Sequence, residues 1–559
     1  GGGGEERGGG GSGKGAERAP GDAFEERVAA VFAAVLGYPT VPLEAGFFDL
    51  GGSSLQLGAV CTRLSGATGV PVPVSVAMRQ PTARALARWI EAQQGARGAA
   101  AGEGASAEVA ASGPVESGPA ASGPVPLNEL QTSFWTRQAM DPADLSALCP
   151  LAWRITGRLD QDALAAALLD VVARHEALRS RYELTGRGRE ARPVAVPFPV
   201  SELPQCAAVE RLAPVEGERS AVELLRERLL RPLAPEAGEV WRAVTVPVAG
   251  TPTVLFGLAF HHLAFDGHSE PVLVRELAAG YAARTEGRSD RLPAAPTLRQ
   301  LAAATAANAE VADLTAQREH WQRTLRGIPE LPLPAPAVAP VVADAWRFAL
   351  DGERGAAVRE LARQHGGTPS TLLLAATATA LRQLTEQHDF GIGIPVAQRS
   401  GELLEAAIGC LVNTVCVRVA APAGSSWAEL VDRTREAATA ALAAQDVPLA
   451  EVVRLVNPRR TGRSPLYQAL FAYQDAPDAP LRLPGAQVAP VRIPPAGEGL
   501  AELVVEVRPE AAGGYLVEVT GPVPPEEFRE AFLAALAGHP AAPGVRAARH
   551  TSPERVVRS

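Results

Sequence analysis

The sequence predicts a multidomain chain: a small helical domain followed by a larger α/β part built as two lobes. Three observations carry this. At 559 residues the chain is too long for one ordinary core. Its apolar residues recur at helical spacing as far as residue 94, whereas strand-like and helix-like runs alternate after residue 125. Between them lies a stretch of Gly, Ala, Ser, Pro and Glu, including SGPVESGPAASGP, that cannot bury enough apolar surface to offset the entropy of ordering it. The expected division is a flexible linker at 1–20, a helical domain at 21–95, a flexible linker at 96–124, an N-terminal lobe at 125–292 and a C-terminal lobe at 293–555.

Each element follows in order. Residues 1–20 are Gly-rich and show no periodicity, as a tether would. Asp22 precedes a helical pattern (Phe24, Val28, Val31, Phe32, Val35, Leu36) that stops before Gly37 and Pro39. A second helix is expected from near Ser53, and a third from Thr82 to Gln94 with Ala83, Leu86, Trp89 and Ile90 on one face. A domain of about 75 residues is near the lower size at which a core holds a fold unaided. In the larger part, PLAWRITG leads to a helix capped by Asp160. The apolar run Val254 to Phe260 reads as a strand buried on both faces. A polar, Pro-containing stretch at 285–297 divides this part in two. The second half repeats the mixture: helix 369–386, strands 389–394 and 411–419, helix 427–444. Two α/β lobes with a cleft between them follow, and such clefts are preferred ligand sites.

Composition narrows the functional classes. The charged fraction of 21% and hydrophobic fraction of 47% are those of a soluble globular protein. The net charge of −9 is spread along the chain with no basic stripe, which argues against nucleic acid. No uninterrupted apolar stretch is long enough to cross a membrane. The N-terminus lacks the apolar core of a signal peptide and an initiator Met, so an excised piece of a longer, cytoplasmic protein is expected. Cys61, Cys149, Cys206, Cys410 and Cys416 form no CxxC pair, so neither a metal site nor a disulfide framework is indicated.

Two motifs carry chemistry. In FFDLGGSSLQLGAV, Gly51 and Gly52 precede Ser53, Ser54 and Leu55 at an expected helix start. Such a serine is either an N-cap or an exposed hydroxyl bearing a phosphoester, where free N–H groups and the helix dipole favour an anion. In FHHLAFDG, His261 and His262 leave the apolar strand directly, with Asp266 and Gly267 after them. Adjacent residues on an extended chain point to opposite faces, so one histidine faces the cleft and the other the packed side. A neutral histidine in a cleft can take a proton from an attacking amine or orient it.

The first motif, with RQPTARALARWI downstream, resembles a peptidyl carrier protein over its whole length, which implies a small four-helix bundle. It also implies 4′-phosphopantetheine on the serine immediately before Leu, that is Ser54 and not Ser53. Residues from about 125 to 555 resemble the condensation domains of nonribosomal peptide synthetases, whose signature is HHxxxDG. The supporting elements occur in order: LNELQTSFW, with Asn128-Glu129 departing from the usual pattern, RHEALRSRY, GIPVAQR, IGCLVNT, AQDVPL and RSPLYQ, with Trp321 in the weakest. The resemblance implies two chloramphenicol-acetyltransferase-like lobes in a V, with a tunnel entered by pantetheine arms from opposite faces. It implies that His262 acts on the amine or the tetrahedral intermediate, with His261 beside it. It also implies that Asp266 is structural with Arg399 as a bidentate partner, that Gly267 N–H meets the donor or its oxyanion, and that Asn413 lines the tunnel. Arg179 is read at least as readily as a structural ion pair.

The implied reaction is attack of an acceptor aminoacyl-thioester's amine on a donor acyl- or peptidyl-thioester, with no metal. The implied partners are a downstream carrier, an upstream adenylation domain and a phosphopantetheinyl transferase. An epimerisation domain shares HHxxxDG and also follows a carrier, but GCLVNT and DVPLAEVV favour condensation. A heterocyclisation domain would have Asp in place of the histidines. A non-catalytic domain recruiting a tailoring enzyme tends to lose the active-site pattern, and a free acyltransferase would not carry a fused carrier. Donor stereochemistry stays open.

Overall fold

The computed structural model describes residues 20–50, 52, 54–101, 123–186, 191–202, 208–288, 292–333, 345–459, 461–474, 480–494 and 501–538. The expected N-terminal linker, apart from Pro20, and residues 102–122 of the second linker lie outside the described residues, as does Cys206.

The first domain has four helices, α1 (Pro20–Leu36), α2 (Ser54–Thr68), α3 (Val74–Arg79) and α4 (Ala83–Ala101). Helix α1 opens at Pro20, two residues before the expected Asp22 start, because proline's fixed φ suits a first turn whose N–H groups need no partner. Helix α4 continues to Ala101, past the expected boundary at 95, through the Ala-rich run GARGAAA. Helix α3, six residues long, is too short to show a period in the sequence. The core gathers Phe32, Phe47, Leu57, Val60, Leu86 and Ile90, with Phe32 and Phe47 edge to face at 5.1 Å.

The remainder runs β1 (Val125–Pro126), α5 (Glu129–Met140), β2 (Leu148–Gly157), α6 (Gln161–Arg174), β3 (Ser180–Thr185), β4 (Arg192–Pro197) and β5 (Val209–Arg211). Then come α7 (Glu218–Leu229), β6 (Trp241–Pro247), β7 (Thr253–His261) and α8 (Ser269–Thr285). After the polar stretch follow α9 (Leu298–Val311), α10 (Leu314–Thr324), β8 (Ala345–Leu350), α11 (Gly352–Gln364), α12 (Pro369–Thr385), β9 (Asp389–Ala397), α13 (Glu402–Glu405) and β10 (Val412–Ala420). The chain closes with α14 (Trp427–Leu442), α15 (Leu449–Val456), β11 (Ala469–Tyr473), β12 (Ala486–Pro490), β13 (Leu503–Pro509), β14 (Tyr515–Thr520) and α16 (Pro525–Leu536).

Strand β7 sits inside the first lobe's sheet, whose order is β12-β2-β7-β6-β5. Its Phe256, Leu258 and Phe260 face the core under α6 and α8, while Leu255 and Ala259 face α7. Gly257 lets α7 approach, since a Cβ there would lie 2.6 Å from Leu229 Cδ1. The second lobe is a six-stranded sheet, β10-β9-β11-β13-β14-β8, against which α12, α14 and α16 pack. Strand β12 departs from the expected division at 292. It comes from the C-terminal half yet pairs antiparallel with β2, Val488 opposite Ile155, and completes the first lobe's sheet. The two lobes are thus stitched by sheet hydrogen bonds as well as by side chains.

Candidate active site

The two histidines diverge as the strand geometry requires. His261 ends β7 and is buried, its Nδ1 accepting the Leu263 N–H at 3.1 Å and its Nε2 lying 3.3 Å from Gln138 Oε1. The Leu263 contact leaves the ring proton on Nε2, which donates to Gln138. Burial, with His262 beside it, pushes its pKa down to about 3, so it stays neutral. Both ring nitrogens are taken by packing partners.

His262 is half-buried and turned the other way. Its ring stacks on Phe134 of α5 at 4.6 Å, and its Nδ1 lies 3.8 Å from Cys410 Sγ. Its own N–H donates to Ala147 O at 2.8 Å, which holds the chain beyond β7 in register. Burial lowers its pKa, against the opposing pull of Asp266 and of the carbonyls of His262 and Phe265. With Nδ1 beside the Cys410 thiol, a proton held on Nδ1 would leave the Nε2 lone pair to a ligand.

Asp266 is only 2% exposed, and both of its carboxylate oxygens accept hydrogen bonds. It accepts from the Ser269 N–H and hydroxyl, each at 2.9 Å, from Leu411 N–H at 2.8 Å and from Arg399 Nη2 at 2.7 Å. Burial alone would raise its pKa, but Arg399 and these donors hold it below the usual carboxylate range. The ion pair differs from the expected fork: one guanidinium nitrogen meets Asp266 while Nη1 donates to the carbonyls of Leu404 and Ala407. The physical reason is that Arg399 also closes its own loop. The cluster joins the lobes, since Asp266 and Ser269 come from the first and Arg399, Gly409 and Leu411 from the second.

Gly267 is exposed, and among the described residues nothing lies within contact of where a Cβ would project. Asn413 has its side-chain amide committed within the fold. Its Nδ2 donates to Gln445 O at 2.8 Å and Val447 O at 3.0 Å, and its Oδ1 accepts from Leu449 N–H at 3.1 Å. With both amide protons engaged, it fixes the turn into α15 rather than offering a donor to substrate. Arg179 is structural: it donates to the carbonyls of Ala173 and Phe198 and lies 3.7 Å from Glu176.

Three residues at the site were missed in the sequence: Phe134, Gln131 and Cys410. The opening motif held the signal for two of them. Gln131 donates to Leu263 O at 2.7 Å, and Asn128, which caps α5 with Gln131, donates to Cys410 O at 2.9 Å across the lobes. Asn128 therefore does a bridging job at the place where the motif departs from its usual form. Cys410 is buried and its thiol pKa is pushed well up by desolvation, so it sits by His262 as a neutral thiol.

In the first domain, helix α2 begins at Ser54, whose side chain lies outside the described residues, as Ser53 does altogether. A serine at the start of a helix is compatible with a phosphoester, whose charge the helix dipole favours. Gly52 N–H donates to Phe47 O at 3.1 Å, and a Cβ on Gly52 would lie 2.2 Å from the buried Phe47 ring. Only glycine lets the chain fold this tightly, and it delivers residue 54 to the helix N-terminus, where an anion is favoured.

Comparisons with known proteins assign the two parts of the chain to families. Residues 121–486 match the model of the condensation domain and residues 26–90 that of the phosphopantetheine attachment site. The chain is 30% identical over 88% of its length to a dimodular nonribosomal peptide synthase of Bacillus subtilis, covering 20% of that protein. It is 30% identical over 83% of its length to the phosphinothricin tripeptide synthetase of Streptomyces viridochromogenes, covering 38% of it. It thus spans a minor part of these relatives. Among solved structures, the first condensation domain of the CDA synthetase superposes with a TM-score of 0.63 at 21% identity, over 76% of this chain and 98% of that one. The X-domain from teicoplanin biosynthesis superposes with a TM-score of 0.62 at 24% identity, over 76% and 96%. Among the described residues no helix is long and apolar enough to cross a membrane, and no cluster of ligating side chains could hold a metal ion.

Proposed function

Because the chain belongs to the nonribosomal peptide synthetases, as a phosphopantetheine-bearing carrier joined to a condensation domain, we propose that it forms amide bonds between carrier-bound acyl groups. Ser54 is proposed as the attachment residue, loaded by a phosphopantetheinyl transferase and charged by an upstream adenylation domain. When bound, phosphopantetheine supplies a thiol that carries the donor as an activated thioester. The acceptor is the amine of an aminoacyl-thioester on a downstream carrier.

Attack of that amine on the thioester carbonyl forms the C–N bond and breaks the C–S bond, the amine proton passing to the departing thiolate. His262 handles that proton. Its neutral Nε2 accepts a hydrogen bond from the amine, orients the nitrogen lone pair, and relays the proton once attack has made the nitrogen acidic. A lowered pKa makes it a weak base, which suits a nucleophile that needs alignment more than deprotonation. Gly267 presents open backbone beside the same loop, where an N–H aimed at the developing oxyanion contributes most. Asp266 and Arg399 hold this loop across the lobes.

The single observation that carries the reading is the asymmetry of the pair: His261 has both nitrogens taken by packing partners, while His262 turns the other way, half-buried, to stack on Phe134 beside the Cys410 thiol. The test is single-turnover amide formation from donor-loaded chain with a soluble aminoacyl acceptor. His262→Ala should slow it by about 10²- to 10⁴-fold with the fold intact. Solvent deuterium entering the donor α-carbon without amide formation would indicate epimerisation. No turnover by the parent chain, with retained binding of a tailoring enzyme, would indicate a recruiting domain.

A further inference from the structure

The carrier packs against the second lobe through α2 and α3, and this contact reaches the site. Thr62, 5% exposed on α2, donates from Oγ1 to Glu405 Oε1 at 2.5 Å and accepts the Gly401 N–H at 3.0 Å. Arg79, the last residue of α3, donates to Ala443 O at 2.8 Å. Ala443 caps the C-terminus of α14, where free carbonyls and the helix dipole favour a cation. Leu442 and Ala443 complete the contact by packing on the carrier core.

The two segments touched are the outer sides of the two loops that hold the site. The first carries Arg399, which ties Leu404 O and Ala407 O to Asp266, and it runs on to Gly409, Cys410 and Leu411 against Ser269, His262 and Asp266. The second continues from Ala443 to Gln445 and Val447, whose carbonyls hold Asn413, while Gln398 Nε2 donates to Gln445 O at 2.9 Å and ties the loops together.

We propose that Thr62 and Arg79 are the pair by which this condensation domain recognises its carrier, and that their seating braces the loops holding Asp266 and Asn413. The surface fits a carrier whose second helix bears a hydroxyl, able to donate to Glu405 and accept from Gly401, and whose third helix ends in a cation. An aliphatic residue at position 62 satisfies neither neighbour. The inference rests on the proposed function only in that the carrier delivers the donor to this site. Docking and site geometry then share one free energy, so loosening one loosens the other.

The experiment is amide hydrogen exchange on the full chain, which needs no catalysis. In Thr62→Val/Arg79→Ala, exchange should rise at 401–405. It should also rise by about 5- to 150-fold at Gly409 and Leu411, whose N–H groups bond Ser269 and Asp266. Unchanged protection in α1 and α4 shows that the carrier stays folded. Faster exchange at 401–405 with 407–413 unchanged would mean docking without bracing and overturn the proposal. A second variant, Thr62→Glu/Arg79→Glu, places bulk and like charge against Glu405 and against the carbonyl end of α14. If exchange at 401–405 stays unchanged there too, the surface is not a docking site. Failure of amide formation in the parent chain with this exchange pattern intact would count against the condensation reading alone.

Discussion

Two adjacent histidines with opposite fates show how little separates a packed residue from a reactive one. His261 is closed by Leu263 and Gln138, so substituting it should cost stability. His261→Ala strands the buried Gln138 amide oxygen and the Leu263 N–H, worth about 1–3 kcal/mol each in lost satisfaction. Chemical denaturation would measure it, and an unchanged midpoint would contradict the assignment. For His262 the expectation concerns pH. Its folded pKa lies below the ordinary histidine range near 6.5, and the working form is neutral. Single-turnover rate should therefore stay level as pH falls through 6.5 and drop only below it. A midpoint at or above 6.5 would argue against a buried, neutral base. Asp266 follows the opposite sign. Its folded pKa is depressed, so the stability it contributes is full above the unfolded value of about 3.9 and is lost as pH falls through the folded one. Arg399→Ala removes that protection and leaves a buried carboxylate unpaired, at about 3–5 kcal/mol. Thermal melting should show the loss, and it should lessen at acid pH where Asp266 is protonated.

The reach of the sequence is clearest among the elements. Helices α12 and α14 and strands β7 and β9 were legible because each is long, periodic or wholly apolar and is bounded by its own caps and turns. Asp160 caps α6 as its position before the helix predicts, accepting from the N–H groups of Asp162 and Ala163. The site was legible where a residue type announces chemistry, as in the histidine pair and Asp266. It was not legible where function depends on a partner far along the chain: Phe134 is 128 positions from His262 and reads locally as one more apolar helix residue. The bonding of Asn413 was hidden for the same reason, since nothing local says that Gln445 and Val447 fold back to take its amide. The turn into α2 carries its own prediction. Gly52→Ala drives a Cβ into the Phe47 ring, an overpacking of about 1–3 kcal/mol confined to the carrier. Carrier melting should fall, while the lobes keep their own melting transition, which is set by their separate cores. Ser54→Ala should abolish the mass gain on loading and Ser53→Ala should keep it, as read by intact mass; the reverse pattern would move the attachment site.

At the scale of the whole molecule, the helical domain, the loop network and the lobe seam form one connected body, and strand β12 is its most consequential thread. A cut at the polar stretch around 292, where the sequence invites division, would release an N-terminal piece whose β2 has lost its outer neighbour. That strand would become an open edge, with the five residues Trp153 to Gly157 losing the partners that Ala486 to Pro490 supply. The halves are therefore not interchangeable parts. A piece ending at 292 is expected to aggregate or self-pair when expressed alone, and to be rescued by a peptide spanning 480–494 added in trans, as light scattering would report. Grafting one lobe onto a relative's other lobe carries the same requirement: the donor of the first lobe must bring its own late strand with it, or the graft inherits a foreign zipper at its seam.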